Sequence, residues 1–342
     1  MGIELTVICE GFNKSRYLPL YNLNRTGKIS SLNFINLTLI KYKPYFIPIL
    51  ALKMILVLFN KKYVYISAAP LSPLVIYYLL IKLVKPNKLV YDTSYPYWKK
   101  NTYFYNLGIL KPVFKRLWFY FLTNLKIKAV NSYAYDYLKN FSKKTRLIPH
   151  SVDTSVFFAI KNKFKKDKFV VLFVGKVQYE KGILHIIEAA KIIKDADFWI
   201  VGTGNYLEKV QKAGLPNIHI FGQISDEKKL NEIYNKADLF VLPSFKYNGW
   251  EELFGIVLIE AMATKTPVIA TDCIGPKEII SHMEDGILIK QKSTEELVSA
   301  INLLRNNNRL RKKILENAYK KVIKEYNVDI VSNKVESLLK LN

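Results

Sequence analysis

Val170-Val171-Leu172-Phe173-Val174-Gly175-Lys176-Val177-Gln178-Tyr179-Glu180-Lys181-Gly182 is the stretch on which the reading of the chain turns. A short apolar run ends in a glycine, two lysines flank the turn, and apolar residues from Ile183 to Ala190 follow. This is strand, glycine turn and helix, the repeating unit of a parallel sheet. Ligands of an open parallel sheet collect at the carboxyl ends of its strands, and a helix N-terminus there favours an anion. Lys176 and Lys181 are therefore candidate phosphate ligands, although a lysine after a strand is more often simply solvated.

Outward from that stretch, short apolar strands alternate with helical segments in two blocks. Towards the C-terminus the strands are expected at Phe198 to Val201, Ile218 to Phe221, Leu239 to Leu242, Val268 to Ala270 and Ile287 to Ile289. Towards the N-terminus they are expected at Leu5 to Cys9, Tyr63 to Ser67, Lys88 to Tyr91, Ala129 to Asn131 and Arg146 to Ile148. The lysine-rich stretch 155–168 reads as the linker, and Thr294 to Leu341 as two or three amphipathic helices. The expected organisation is an α/β chain with domains at 1–154 and 155–326, and a last helix, 327–342, that could cross back to the first.

Length and composition suit this: 342 residues at 50% apolar content supply two cores. The net charge of +24 is lopsided, with 23 Lys and Arg against 5 Asp and Glu in residues 1–160 and 29 against 23 in the remainder. Such a field draws polyanions: nucleic acid, an anionic leaflet or a phosphate-bearing substrate. A lysine-rich proteome or a thermophile's surface is the bland alternative. Two cysteines, Cys9 and Cys273, without ligand spacing, suggest neither a disulfide framework nor a zinc site. The opening residues read as a strand rather than a signal peptide, which places the protein in the cytoplasm as an expectation. Apolar runs at Tyr45 to Phe59 and Leu71 to Val84 are shorter than the roughly 20 residues of a spanning helix. The stretch Phe104 to Leu125 sets Lys111, Lys115 and Arg116 beside Trp118, Phe119, Tyr120 and Phe121, as a helix lying in a lipid interface would. Ordinary core helices are the alternative.

The second candidate constellation is Pro243-Ser244, then Glu252-Leu253-Phe254-Gly255-Ile256, then Glu260-Ala261-Met262-Ala263. If Phe254 opens a helix, its exposed amides can bind a diphosphate, and Gly255 permits close approach. Glu252 then precedes the helix and Glu260 lies two turns along it, positions suited to different hydroxyls of one ligand. An ordinary paired helix glutamate is an equal reading of Glu260 by spacing alone.

Together these motifs resemble the retaining glycosyltransferases of the GT-B fold, glycosyltransferase family 4 (glycosyl transferases group 1). Ile148-Pro149-His150-Ser151-Val152-Asp153 resembles the family's interdomain element, and Val174 to Gly182 its phosphate-binding turn. Val201-Gly202-Thr203-Gly204, Phe221-Gly222, Thr266 to Thr271, Gly275-Pro276-Lys277-Glu278 and Asp285-Gly286-Ile287-Leu288 follow in the family's order. The resemblance implies two Rossmann-like domains with parallel sheets facing a central cleft. It also implies a hexosyltransferase-type activity with a nucleotide-diphosphate sugar as donor, no bound cofactor and no metal. On that basis Lys176, Lys181 and the amides of Phe254, Gly255 and Ile256 would hold the diphosphate, Glu260 the ribose and Glu252 the sugar. The loops after Gly202 and Gly222 would flank the base. Leaving-group charge grows on the diphosphate, so fixed cations and dipoles aimed there lower the barrier, and a carboxylate can stabilise the oxocarbenium-like carbon.

Several positions depart from the family pattern. Lys176 stands where arginine is common, Ile274 and Lys265 replace glycines, and the glycine-rich opening is reduced to Glu10-Gly11-Phe12. Asp92 is the one acidic residue between Glu10 and Asp136, and after a strand it could face the cleft as the acceptor's base; a turn-capping aspartate is the alternative. The expected partners are a nucleotide sugar, a lipid-linked or glycan acceptor and an anionic membrane surface, with no nucleic acid. A nucleotide-sugar epimerase or a sugar phosphorylase would share the architecture. A non-catalytic basic protein binding membrane or nucleic acid explains the charge but not the ordered motifs.

Overall fold

Among the described residues, two parallel sheets of six strands each organise the structure. The structure is a computed structural model that describes residues 3–10, 14–37, 47–96, 108–160 and 168–341. The first sheet contains β1 (Ile3–Cys9), β2 (Ile29–Asn36), β3 (Tyr63–Ser67), β4 (Leu89–Thr93), β5 (Lys126–Ala129) and β6 (Thr145–Leu147), in the order β2-β1-β3-β4-β5-β6. The second contains β7 (Phe169–Val174), β8 (Ala196–Val201), β9 (Ile218–Gly222), β10 (Leu239–Leu242), β11 (Val268–Thr271) and β12 (Ile287–Ile289), in the order β12-β11-β10-β7-β8-β9. In each sheet the first strand pairs with neighbours that follow it in opposite directions. The switch points therefore fall between β1 and β3 and between β7 and β10, where open α/β sheets take their ligands.

The helices of the first sheet are α1 (Leu18–Arg25), α2 (Ile47–Phe59), α3 (Val75–Val84), α4 (Lys111–Leu122) and α5 (Ser132–Leu138). Those of the second are α6 (Ile183–Ile192), α7 (Leu207–Lys212), α8 (Glu227–Lys236), α9 (Ile256–Ala263), α10 (Ile274–Ile279), α11 (Thr294–Asn306) and α12 (Asn308–Lys321), and α13 (Val328–Lys340) ends the chain. Consecutive strand residues face opposite sides. Ile8, Ile66 and Tyr91 pack under α2 to α5 with Trp118 and Phe121, whereas Val7, Tyr65 and Val90 pack under α1 and α13 with Leu20, Val331 and Val335. Burial on both faces is why these strands read as near-continuous apolar runs.

The chain divides into Met1–Ser151 with Val328–Asn342, and Val152–Asn327. Inside the first unit, Asn22 donates to Asp329 (3.0 Å) and Ser332 (3.1 Å), and the buried Lys126 ammonium donates to the carbonyl of Leu339 (2.8 Å). A cation on the final carbonyls of α13 suits the negative end of its dipole. Burial lowers that lysine's pKa to about 8.

The structure differs from expectation at several points. Strand β2 has no expected counterpart, because Ile-Ser-Ser-Leu-Asn-Phe-Ile-Asn lacks an apolar run; as an edge strand it needs none. The strand expected at Ala129 to Asn131 lies at Lys126–Ala129, its alternating lysines concealing a fully buried strand. Residues 155–160 do not behave as a free linker: Phe157 is buried, and the amides of Phe158 and Ile160 donate to Asn231 (3.1 Å) and Asn235 (2.8 Å). Residues 161–167 lie outside the described residues. Trp118 and Phe121 of the expected interfacial helix are fully buried against Tyr78 and Tyr91, so they face the sheet instead of solvent.

Candidate active site

In the second unit the loops after β7, β8 and β10 touch through their backbones, and glycines make this possible. A Cβ at Gly202 would lie 1.8 Å from the Gly175 carbonyl oxygen, and one at Gly204 would lie 2.3 Å from that of Val177. A Cβ at Gly182, where φ is +77°, would lie 2.0 Å from the Pro243 oxygen. The Gly202 amide donates to the carbonyl of Gly222 (2.7 Å), tying in the end of β9. Gly202 and Gly222 are thus brought to the same edge of the sheet as Lys176 and Lys181.

At the β7/β10 switch point the Lys181 ammonium lies 2.6 Å from Glu252 Oε2 and 4.7 Å from the centre of the Trp250 ring. Ser244 Oγ donates to the same carboxylate oxygen at 3.5 Å. The pair is partly open, with side chains 17% and 12% exposed. The Lys176 side chain is exposed and makes no hydrogen bond or ion pair with another described residue. Glu251 is buried and fastens α10, accepting from the amide of Ile274 (3.0 Å), while the Gly275 amide donates to the Glu252 carbonyl (2.9 Å). A Cβ at Gly275 would lie 2.2 Å from the Phe254 nitrogen, so this loop has one seat.

Helix α9 begins at Ile256 rather than Phe254, with Gly255 as its N-cap in the left-handed region (φ 91°). The amides of Gly255 and Ile256 make no hydrogen bond to another described residue. Unpaired donors at a helix start form an anion seat. Along α9, Glu260 is buried; its Oε2 accepts from the Tyr234 hydroxyl (2.9 Å), and Oε1 makes no bond to another described residue. Burial raises its pKa from the ordinary 4.5 to about 7; the Tyr234 hydrogen bond opposes the rise and nearby Glu227 adds to it.

Sequence reading placed Ser244 in the constellation but did not find Trp250 or Tyr234. Trp250 lies two residues before Glu252 and could have been noticed. Tyr234 is brought to Glu260 from another helix and leaves no local signal. Among the described residues, no group of three or more His, Cys, Asp or Glu is placed to hold a metal ion. The metal-free expectation takes the chain to hold no Asp-x-Asp pair, and the sequence corrects it: Asp195-Ala196-Asp197 has that spacing. It sits at the amino end of β8, away from the glycine loops, with Asp195 paired to Arg305 (2.5 Å) and Asp197 3.5 Å from Lys168 and 3.4 Å from His219.

In the first unit Asp92 is not a solvent-facing base. It is 2% exposed, and Asp92 on β4 is in register with Lys128 on β5, whose ammonium lies 3.2 Å from Asp92 Oδ1. The Ser67 hydroxyl donates to Oδ2 (3.4 Å). Both side chains of the pair are shut from solvent, so this carboxylate is engaged inside the unit. Beside this pair, burial foremost, then the charges of Lys128 and Arg16, keeps His150 neutral with its pKa well below 6.5. Gly11 lies outside the described residues. Glu10 is described, and its carboxylate accepts from Ser72 (2.5 Å) and from the amide of Ala69 (3.1 Å).

Residues 157–321 match the model of the family described as Glycosyl transferases group 1. The matched stretch lies within the second unit, which is in that measure similar to the family's domain. An uncharacterised glycosyltransferase of Methanocaldococcus jannaschii is 32% identical over 51% of this chain and 45% of its own length. The Campylobacter jejuni N,N'-diacetylbacillosaminyl-diphospho-undecaprenol alpha-1,3-N-acetylgalactosaminyltransferase is 30% identical over 49% of this chain and 43% of its own length. The chain thus spans less than half the length of these two curated relatives. Among solved structures, Anabaena HepE in complex with UDP superposes with a TM-score of 0.74 at 16% identity, covering 99% of this chain and 100% of that one. A Rickettsia africae glycosyltransferase gives 0.74 at 18% identity, covering all of both chains. At these identities the likeness is one of fold, and it is the two-sheet α/β fold of GT-B proteins.

Proposed function

We propose that the protein is a glycosyltransferase that moves a hexosyl unit from a nucleotide-diphosphate sugar to a membrane-linked or glycan acceptor, with retention of anomeric configuration. The cluster at the β7/β10 switch point carries this reading: the unpaired Lys176, the partly open Lys181–Glu252 pair, and the open amides of Gly255 and Ile256 ahead of α9. Three kinds of positive group converge where a diphosphate would sit. They stabilise the charge that develops on it as the glycosidic bond breaks, so the scheme calls on no metal. A diphosphate competes with Glu252 for Lys181, and the released carboxylate is then available to the sugar. Glu260, set two turns along α9 with one oxygen uncommitted, suits the ribose hydroxyls, and the loops after Gly202 and Gly222 suit the base. The Campylobacter relative acts, by its name, on a diphospho-undecaprenol-linked sugar, which supports a lipid-linked acceptor; a place at the cytoplasmic face of a membrane is part of the same proposal.

The test is a thermal-shift panel of nucleotide sugars on the purified protein with EDTA present. Stabilisation by one donor, as mass action requires of a specific ligand, supports the reading and names the sugar for the acceptor search. A folded sample shifted by no donor overturns it.

A further inference from the structure

Three helices of the first unit carry apolar side chains that the core does not use. On α2, Leu50 and Val57 are buried, yet Leu52, Ile55, Leu56 and Phe59, at i, i+3, i+4 and i+7, are 53–80% exposed. The same holds on α3, where Val75, Tyr78 and Ile81 are fully buried while Ile76, Leu80 and Leu83 are 46–72% exposed. A helix that is apolar on both sides belongs inside a core or against lipid. The helices adjoin: α2 packs on α3 and α3 on α4, with the Tyr77 hydroxyl donating to the Met54 carbonyl (2.7 Å) and Lys82 to that of Tyr120 (2.7 Å). Ile109, in the turn just before α4, and Val113, in its first turn, are 94% and 54% exposed. An apolar surface continuous over three elements marks an interaction site rather than scattered exposure.

Charge selects the occupant. No Asp or Glu occurs between Glu10 and Asp92 or between Asp92 and Asp136, so all charge on these helices is positive, with Lys53, Lys111 and Arg116 exposed. A second copy brought face to face would meet its own sign of charge; anionic headgroups complement it. The 13 residues of α2 span about 20 Å, short of a hydrocarbon core of about 30 Å. No helix among the described residues is long and apolar enough to cross a membrane. We propose that the outer face of α2, α3 and the start of α4 docks on an anionic bilayer, its apolar side chains entering the interface and its cations meeting the headgroups. This is a different face from that of Trp118 and Phe121, and it goes beyond the donor reading without depending on it.

Flotation of the full chain with vesicles, in the absence of nucleotide, tests the proposal. The protein is expected to float with phosphatidylcholine vesicles containing phosphatidylglycerol and far less with phosphatidylcholine alone. Leu56→Glu with Leu83→Glu, both at exposed positions, should lower partitioning by about tenfold or more and leave the donor-induced thermal shift in place. Lys53→Ser, Lys111→Ser and Arg116→Ser together should remove the preference for the anionic vesicle. No flotation of the wild-type chain, or unchanged flotation of the double glutamate variant, overturns the proposal. So does a concentration-dependent dimer in light scattering that the double variant abolishes, since the face would then belong to a second copy.

Discussion

Each unit holds a lysine–carboxylate pair at the carboxyl end of its sheet, and the two pairs differ in what surrounds them. Lys128–Asp92 lies between neighbouring strands with side chains 2% and 1% exposed, whereas Lys181–Glu252 spans two loops and stays partly open. In the first pair both charges are shut from solvent, and the aspartate also meets the Arg16 charge and the Ser67 hydroxyl. In the second, the proposed function has a ligand's phosphate take the carboxylate's place. The same chemistry is structural in one unit and available in the other, and access decides which.

The largest expected effect breaks the first pair. Asp92→Asn leaves the Lys128 ammonium buried without its counter-charge and should cost about 3–5 kcal/mol of stability, measured by urea unfolding. A loss under about 1 kcal/mol would mean that the pair is hydrated and the contrast false. Next, Lys181→Ala should lower transfer by roughly 10²–10³-fold with a stability change of about 1 kcal/mol or less, because a partly exposed pair contributes little. Turnover within a few fold of wild type would remove the lysine from the donor site.

The smallest effect concerns pH. Glu260 is raised from 4.5 to about 7, so between those values the folded chain keeps a proton that the unfolded chain releases. Its contribution to stability is therefore fully present below pH 4.5 and is lost as pH rises through 7. In Glu260→Gln that part of the decline should vanish from a series of melting temperatures between pH 5 and 8. Identical profiles for the two proteins would place the carboxylate in a wetter site than its burial implies.

How much was legible in the sequence differs between the units for the same physical reason. In the second, the strands are apolar runs bounded by glycine, and Gly175, Gly182 and Gly202 stand where backbones meet, so local sequence records local geometry. In the first, β5 carries Lys126 and Lys128 in a buried strand and β2 is a polar edge, so the pattern misled. Only the fold shows what compensates those lysines: Asp92 across the sheet and the end of α13.

The sequence by itself determined the two-sheet α/β class, the order of the glycine turns and the lysine-flanked turn after β7, because each is written in residues adjacent along the chain. The tertiary structure alone decided that α9 starts at Ile256, that Tyr234 holds Glu260, that Asp92 is locked to Lys128, and which sides of α2 and α3 face water. Each of these depends on a partner, or on the lack of one, supplied by a distant part of the chain, and spacing along a single segment carries no record of it.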